Sequence, residues 1–178
     1  DLGLSFRFWS SFIGGQIGHH TNLTVRGLNR EVPMIIFMTV ANHRGFGLAL
    51  QDFRISPNPA RRLDGIVWGF EVAADNLDAA AAEAAKQNLR VERVSDYAAS
   101  SPIKESLFVL DPDGNTVELC TRKQPSDQAP QAGAVSLRRI SHVRVEVTDL
   151  EQAREWYGNT FGLVVGDQVP GEEQLTMT

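Results

Sequence analysis

One pattern occurs more than once along the chain: a strand-like segment of alternating residue types, followed within a few positions by a possible helix start. The segments are residues 67–72, residues 142–147 and, in a looser form, residues 20–25. A unit of one strand and one helix cannot bury its apolar face alone, so repeated units pack against each other or against their helices. The repeat therefore favours an architecture built from strand–helix units.

Each repeated strand has two different sides, because successive side chains point to opposite faces of a sheet. The apolar sides consist of Trp68, Phe70 and Val72 in one segment and of Val143, Val145 and Val147 in another. We predict that these six side chains are mostly buried against helices. The opposite sides consist of Val67, Gly69 and Glu71, of His142, Arg144 and Glu146, and of His20, Asn22 and Thr24. A sheet with helices on one side and polar groups on the other can curve into a cup.

Residues 65–120 have the order strand, helix and three short strands. After the strand at residues 66–72, an alanine-rich stretch predicts a helix at residues 77–87. Asp75 or Asn76 can cap this helix by accepting from free backbone N–H groups of its first turn. The order is that of a βαβββ unit.

The sequence Asp-Pro-Asp-Gly-Asn at residues 111–115 predicts a tight turn. Proline fixes φ at one position, and glycine and asparagine tolerate positive φ at others. The turn joins strands at residues 107–110 and 116–120. On the second strand, Glu118 lies on the face opposite its two apolar neighbours. Glu118 is therefore a candidate for the polar wall of the cup.

A stretch rich in Pro, Gln and Ser divides the chain. Residues 123–137 lack apolar periodicity and are predicted to form a linker. Residues 1–122 then form one domain, with an atypical first unit at residues 1–60 and a second unit at residues 65–122. Residues 138–178 are expected to begin a second domain that stops before its unit is complete.

The pattern restarts after the linker with a strand at residues 140–148 and a helix at residues 149–159. Asp149 is predicted as the N-cap of this helix, and Gly162 as the residue that reverses the chain at its end. The aromatic residues at 156 and 157 are expected to pack the helix against the sheet. The aromatic segment 6–12 fits the period of a helix or a strand poorly and is expected to cover a sheet edge or a partner chain.

Composition excludes several classes of function. The net charge of −5 argues against general nucleic-acid binding, which requires a clustered positive surface. No apolar run approaches the roughly 20 residues that cross a bilayer. The single cysteine, Cys120, cannot form an internal disulfide, which favours a reducing, cytoplasmic location. Because no base lies beside it in sequence, Cys120 is not expected to act as a nucleophile.

Two segments resemble proteins of the vicinal-oxygen-chelate superfamily. Residues 107–119 resemble the closing strand pair of such a protein, and residues 140–150 with the helix after them resemble its opening strand and helix. The resemblance implies an α+β fold of tandem βαβββ units, in which curved mixed sheets form a cup and the helices lie on the outer face.

The resemblance also implies a metal site, with histidines on opening strands and a glutamate on a closing strand. Carried over by position, His142 and His20 match the opening histidine and Glu118 matches the closing glutamate. Val67 stands where the unit at residues 65–122 would have its histidine. The implied cofactor is a divalent metal, iron(II) by preference, with manganese, zinc or nickel as alternatives, or no metal at all.

The order of the units is similar to that of type I extradiol dioxygenases, which implies ring cleavage of a catecholic aromatic. His142 would then be the first of three iron ligands, and the other two would lie beyond Thr178. Two histidines and one carboxylate suit iron(II), because they leave positions open for substrate and dioxygen.

Two alternative functions stay open. One is a glyoxalase-like isomerase or lyase, in which the metal polarises a carbonyl group of the substrate. The other is a metal-free protein that binds a small molecule such as an antibiotic. In each case the ligand is a small aromatic or carbonyl compound. A homo-oligomer is expected, because an incomplete unit leaves a strand edge that can pair with another chain.

Overall fold

The computed structural model describes residues 2–25, 30–38, 47–51, 65–99, 101–130, 134–168 and 175–177. The helices are α1 (Leu2–Arg7), which continues into a π-helical turn (Phe8–Phe12), α2 (Asn76–Lys86) and α3 (Leu150–Phe161). The strands are β1 (Gln16–Val25), β2 (Arg30–Met38), β3 (Gly47–Gln51), β4 (Ile66–Val72), β5 (Val91–Val94), β6 (Ile103–Leu110), β7 (Thr116–Arg122), β8 (Leu137–Val145), β9 (Val165–Gln168) and β10 (Leu175–Met177). Among the described residues, no helix is both long and apolar enough to cross a membrane.

The main sheet has five strands in the order β5-β6-β7-β4-β8. Strands β4 and β7 run parallel, and every other neighbouring pair in this sheet is antiparallel. Together with α2, strands β4 to β7 form the predicted βαβββ unit, and β8 extends the sheet at the free edge of β4. The predicted α+β class with a curved, mixed sheet is confirmed, and the sheet is open.

The tight turn between β6 and β7 is held by one aspartate. The Asp111 carboxylate accepts hydrogen bonds from the backbone N–H groups of Asp113 (2.9 Å) and Asn115 (2.8 Å) and from the Asn115 side chain (2.8 Å). Gly114 has φ +87°, a conformation that favours glycine. The predicted hairpin is confirmed, with Leu110 opposite Thr116.

We expect the Asp111→Ala variant to lose about 2 kcal/mol of the free energy of unfolding, because it leaves two backbone N–H groups of the turn without their acceptor. Urea denaturation measures the loss. Asn115→Ala is the matched control, because it removes a single side-chain donor to the same carboxylate and should cost less than half as much. Equal losses in the two variants would contradict this role of Asp111.

The aromatic N-terminal segment packs on the helix-covered face of the main sheet. Phe8, Trp9 and Phe12 are buried, and the Trp9 ring lies 6.5 Å from the Phe70 ring in an edge-to-face arrangement. The N–H of Ile13 donates to the carbonyl of Phe8, an i to i+5 bond of a π-turn. This turn departs from the 3.6-residue period, which explains why the aromatic spacing did not match a regular helix.

Helix α2 covers the same face of the sheet. It begins after Asp75 and buries Leu77, Ala80 and Ala84, which lie three and four residues apart on one side. The predicted burial is confirmed for Phe70 and Val72 of β4, while Trp68 is half-buried. The predicted helix is therefore correct in place and in the side that it buries.

The burial predicted for β8 is wrong. Val143, Val145 and Val147 are 45%, 40% and 42% exposed. Alternation along a strand predicts which side chains share a face, but it does not place a helix over them. Helix α3 follows β8 yet buries none of its own residues, and its main contacts are with β10. The repeat therefore holds for the strands and helices, but the second helix does not cover its strand.

The ends of α3 are as predicted. The Asp149 carboxylate accepts from the backbone N–H of Gln152 (2.9 Å), and Gly162 ends the helix in the left-handed conformation. The aromatic residues of α3 are not packed on the sheet as expected. Trp156 is 53% exposed and packs edge-on against Tyr157 at 4.8 Å between ring centroids.

The expected homo-oligomer stays a prediction.

Strands β1, β2 and β3 form a separate three-stranded antiparallel sheet. His20 lies in β1 opposite Ile35 of β2. The comparison of residues 20–25 with an opening strand predicts a helix after this strand, but the helix α1 precedes it, and β2 follows it. Strand β1 is therefore not the opening strand of a βαβββ unit, and the third copy of the repeat is wrong.

The predicted linker is fixed at both ends to the main sheet. Leu137 belongs to β8 rather than to the linker, and Val135 is buried. The backbone N–H of Ser126 donates to the Glu71 carboxylate (2.7 Å), which also accepts from Arg139 at the start of β8 (2.7 Å). The division into a first domain and a second, incomplete domain stays a prediction, and β8 lies in the same sheet as the unit before it.

Candidate functional site

The face of the main sheet opposite α2 is named here the cup face. It consists of Val67, Gly69, Ser106, Phe108, Thr116, Glu118, His142 and Arg144, which the strand register places side by side. Gly69 of β4 lies directly between Glu118 of β7 and His142 of β8. The register therefore brings together two candidate ligands that lie on opposite sides of the linker.

His142 and Glu118 contact each other across Gly69. The distance from His142 Nε2 to Glu118 Oε2 is 3.1 Å. A Cβ atom on Gly69 would lie 2.4 Å from the His142 ring, well inside any normal contact. The absence of a side chain at position 69 is what allows the imidazole to lie over β4 and reach the carboxylate on the next strand.

A network of side chains orients the imidazole. Arg122 donates to the Ser141 hydroxyl (3.1 Å), and this hydroxyl lies 3.2 Å from His142 Nδ1. If the hydroxyl hydrogen of Ser141 points to Nδ1, then Nε2 carries the ring proton and donates it to Glu118. In this assignment the Ser141 hydroxyl donates to Nδ1, and Nε2 donates to the Glu118 carboxylate.

Glu118 is a buried carboxylate that is held in its ionised form. Burial raises its pKa, but hydrogen bonds from His142 and Ser106 and the nearby charge of Arg144 outweigh burial and lower the pKa below its ordinary value. The Ser106 hydroxyl donates to Glu118 Oε1 at 2.6 Å, so both carboxylate oxygens are hydrogen-bonded. Glu118 is therefore a charged acceptor at neutral pH.

A metal of the kind that the resemblance implies does not find a complete site among these residues. His142 and Glu118 supply one nitrogen and one carboxylate donor, and Val67 contributes no ligand. Among the described residues, no group of three or more His, Cys, Asp and Glu side chains could hold an ion. His20 lies on β1 in the other sheet. The structure thus brings together two of the three predicted ligands and leaves His20 apart from their sheet.

The sequence assigned no role to three members of the site. Arg144 lies on the predicted polar side of its strand together with His142, whereas Ser106 shares a face of β6 with Phe108. Tyr97 lies in a loop, and no pattern in the sequence pointed to it. Burial raises the pKa of Tyr97, while a hydrogen bond with Ser106 lowers it and the charge of Glu118 raises it further. Tyr97 therefore extends the polar network beyond Ser106.

Cys120 lies beside the network and is fully buried. Burial raises the pKa of its thiol to about 12, with a further contribution from the Glu118 charge, although a hydrogen bond with Ser141 opposes the shift. The expectation that Cys120 is not a nucleophile agrees with this environment. Because its pKa in the folded protein is raised, the neutral thiol adds stability below about pH 9, and that contribution is lost as the pH rises above this value.

We expect Cys120 to react with a disulfide reagent at pH 8 roughly a thousandfold more slowly in the folded protein than in the urea-unfolded protein. A pKa near 12 instead of 9.0 lowers the thiolate fraction by that factor, and burial restricts access as well. Absorbance of the released aromatic thiol measures both rates. Rapid, stoichiometric reaction of the folded protein would contradict the burial of this thiol.

A groove of about 610 Å³ opens on the cup face beside the His142–Glu118 pair. Its lining consists of Gly65, Ile66, Val67, Arg90, Val91, Glu92, Phe108, Leu110, Thr116, Arg144 and Glu146. The lining combines apolar side chains with charged side chains of both signs. The groove is large enough for a small organic molecule, as ligand pockets of this size usually are.

One known protein shares a short stretch of sequence with this chain. No protein-family model matches it. A stretch of 42 residues is 52% identical to the mitochondrial methylmalonyl-CoA epimerase of Bos taurus, over 23% of this chain and 24% of that protein. The chain thus spans about a quarter of the length of this curated relative.

Solved structures show the similarity of the fold. A Bacillus subtilis subsp. subtilis str. 168 protein with the provisional name of a dioxygenase matches 98% of this chain at a TM-score of 0.68 and 13% identity; the match spans 55% of that protein. The fosfomycin resistance protein FosX of Listeria monocytogenes matches 71% of this chain and 86% of its own, at a TM-score of 0.46 and 11% identity. The described chain shares its fold with this Bacillus subtilis protein, and its βαβββ unit agrees with the fold that the sequence resemblance implies.

Proposed function

We propose that the chain contributes to an enzyme of the extradiol dioxygenase type, which opens the ring of a catecholic aromatic with dioxygen. The observation that carries the proposal is the His142–Glu118 pair on the cup face, beside a groove of suitable size. The match of nearly the whole chain to the Bacillus subtilis protein supports it. Because that match spans 55% of that protein, the proposal concerns the activity of a larger assembly or protein that contains this chain.

The residues of this chain can hold and move a proton next to the groove. Glu118 accepts the Nε2 proton of His142, and this contact keeps the imidazole in one orientation. The same contact stabilises the imidazolium when the ring takes up a proton at Nδ1, because the carboxylate is already ionised and desolvated. A catechol hydroxyl that displaces Ser141 from Nδ1 would find a base there. The pair therefore suits a reaction that begins with deprotonation of a hydroxyl group.

Oxygen uptake tests this proposal. We expect the full protein, supplied with iron(II), to consume one dioxygen per catechol, and we expect the His142→Ala variant to be at least about a hundredfold slower. An oxygen electrode follows the uptake, and mass spectrometry identifies the ring-opened product. Arg154→Gln, on the exposed surface of α3, is the matched control and should retain wild-type uptake. Uptake that is absent in the wild type, or unchanged in His142→Ala, would overturn the proposal.

A second candidate is an isomerase that moves a proton next to a carbonyl group. The 42-residue identity with methylmalonyl-CoA epimerase favours it. Proton abstraction at carbon needs a positioned base, and the His142–Glu118 pair can supply one. The two candidates differ in their reagents: isomerisation in deuterated water introduces deuterium into the substrate without consuming oxygen. Deuterium incorporation in the absence of oxygen uptake would favour the isomerase.

A further inference from the structure

The loop between β5 and β6 brings a tyrosine to the polar network of the cup face. Tyr97 lies in this loop, is half-buried, and forms a hydrogen bond with the Ser106 hydroxyl. In the register of β6 with β7, Phe108 lies opposite Glu118, and Ser106 lies opposite Cys120. Phe108 lines the groove, whereas Tyr97 and Ser106 are not among the described residues of that lining. The contact of Tyr97 with the network is therefore away from the groove.

The hydrogen bonds that connect Tyr97 to Glu118 have one direction. The Glu118 carboxylate is ionised and can only accept, and the Ser106 hydroxyl donates its single hydrogen to Oε1 at 2.6 Å. The oxygen of Ser106 can then only accept from Tyr97, so the phenol hydroxyl is the donor of that bond. Burial raises the pKa of Tyr97, which agrees with a neutral phenol that keeps its hydrogen.

This chain of donors fixes two groups that otherwise rotate. A serine hydroxyl turns easily about its C–O bond, and the terminal torsion of a glutamate is broad. With a donor on its oxygen, the Ser106 hydroxyl keeps its hydrogen toward Oε1, and this bond fixes the plane of the carboxylate. The other carboxylate oxygen, Oε2, lies 3.1 Å from His142 Nε2. The direction of Oε2 therefore depends on the bond at Oε1, and that bond depends on Tyr97.

One lysine holds the loop in place. Lys123 Nζ donates to the backbone carbonyls of Ala98 (3.0 Å) and Ala99 (2.6 Å), which directly follow Tyr97. The backbone N–H of Lys123 donates to the carbonyl of Pro102 (2.9 Å), where the loop ends. Lys123 comes directly after β7, the strand that contains Glu118. The loop and the carboxylate are thus attached to the same strand.

We propose that Tyr97 is a positioning residue for the His142–Glu118 pair. Its hydroxyl group orients the Ser106 hydroxyl, which in turn fixes the Glu118 carboxylate against the imidazole. Tyr97 acts through Ser106 rather than by contact with a substrate. The consequence for turnover rests on the proposed function, whereas the orientation of the imidazole can be measured without it.

The ring resonances of His142 in an NMR spectrum of the full protein test the inference independently of activity. Tyr97→Phe keeps the ring and removes the hydroxyl group, and we expect it to shift these resonances. Lys123→Met should also shift them, because it releases the loop. Two matched controls should leave them unchanged: Tyr157→Phe, in the aromatic cluster of α3, and Lys86→Met, at an exposed ion pair of α2.

A double-variant cycle shows whether Tyr97 acts through Ser106. Under the proposed function, Tyr97→Phe should lower kcat roughly fivefold, the effect of one neutral hydrogen bond, with KM unchanged within about twofold. Ser106→Ala removes a bond to a charged group and should lower kcat roughly thirtyfold. In the Ser106→Ala background, Tyr97→Phe should change kcat by less than about twofold and add no further shift of the His142 resonances, because the hydroxyl between them is already absent.

The inference is overturned if Tyr97→Phe leaves the His142 resonances unchanged, if the two control variants shift them as much, or if Tyr97→Phe shifts them equally with and without Ser106. Oxygen uptake separates this result from the proposed function. Shifted resonances in Tyr97→Phe, without oxygen uptake by the wild type, would mean that the dioxygenase proposal fails while the positioning role stands. Oxygen uptake by the wild type, with unshifted resonances in Tyr97→Phe, would mean the reverse.

Discussion

The Arg139→Ala variant is expected to lose about 3 kcal/mol of the free energy of unfolding, more than the Glu71→Gln variant at about 1–2 kcal/mol. Glu71 is fully buried, whereas the Arg139 side chain is 34% exposed. Removal of Arg139 leaves a buried carboxylate that still accepts a hydrogen bond from the Ser126 N–H. Glutamine at position 71 keeps an acceptor for that N–H and leaves Arg139 free to turn toward water.

Urea denaturation of the two single variants and of the double variant measures this asymmetry. The loss in the double variant should be smaller than the sum of the two single losses, because both act on one contact. Arg154→Gln is the control for an exposed ion pair and should change stability by less than about 0.5 kcal/mol. If Glu71→Gln were the more damaging of the two variants, the buried charge would not be what fixes β8 and the linker to β4.

A second large effect is expected at Gly69. An alanine there would place a methyl group within 2.4–2.7 Å of three ring atoms of His142, so the imidazole must swing away from Glu118. The ring is partly exposed and can move, so folding should be affected little. Displacement of a reacting group by about 1 Å can cost on the order of a hundredfold in rate, and we expect an activity loss of this size.

Gly162→Ala is the matched control for this substitution. Gly162 has φ +71° and open space around it, so an added methyl group strains the backbone without meeting a neighbour. This variant should lose roughly 1 kcal/mol of stability and keep its activity. The ring resonances of His142 in an NMR spectrum should shift in Gly69→Ala alone. Unchanged resonances and activity in Gly69→Ala would show that Gly69 does not position the imidazole.

The sequence predicted the parts of the fold that depend on neighbouring residues. The turn at residues 111–115 and the caps at Asp149 and Gly162 are local, because each is formed by side-chain and backbone groups a few positions apart. The burial of Glu71 could not be predicted in this way, since its partners lie 55 and 68 positions further along the chain. The exposure of β8 was missed because alternation cannot reveal whether a helix covers a strand.

The sequence predicted two residues of the candidate site but not their arrangement. His142 and Glu118 were identified through the resemblance, and the register of β4 with β7 and β8 then placed them on either side of Gly69. That register depends on the whole sheet, so no short motif contains it. Ser106 joins the pair only when the strands lie side by side, whereas Arg144 was already placed on the polar side of its strand with His142. Whether these residues bind a metal stays a prediction.

The linker also acts as a tether between the two halves of the site. Glu118 precedes it and His142 follows it, so the segment determines the effective concentration at which the imidazole meets the carboxylate. For a flexible tether this concentration falls slowly with length, and each doubling costs only about 0.6 kcal/mol. Because Ser126 and Arg139 attach the segment to Glu71, much of that entropy is already lost in the folded chain. We therefore expect insertions in the segment to leave the pair in contact, provided that its attachment to Glu71 is kept.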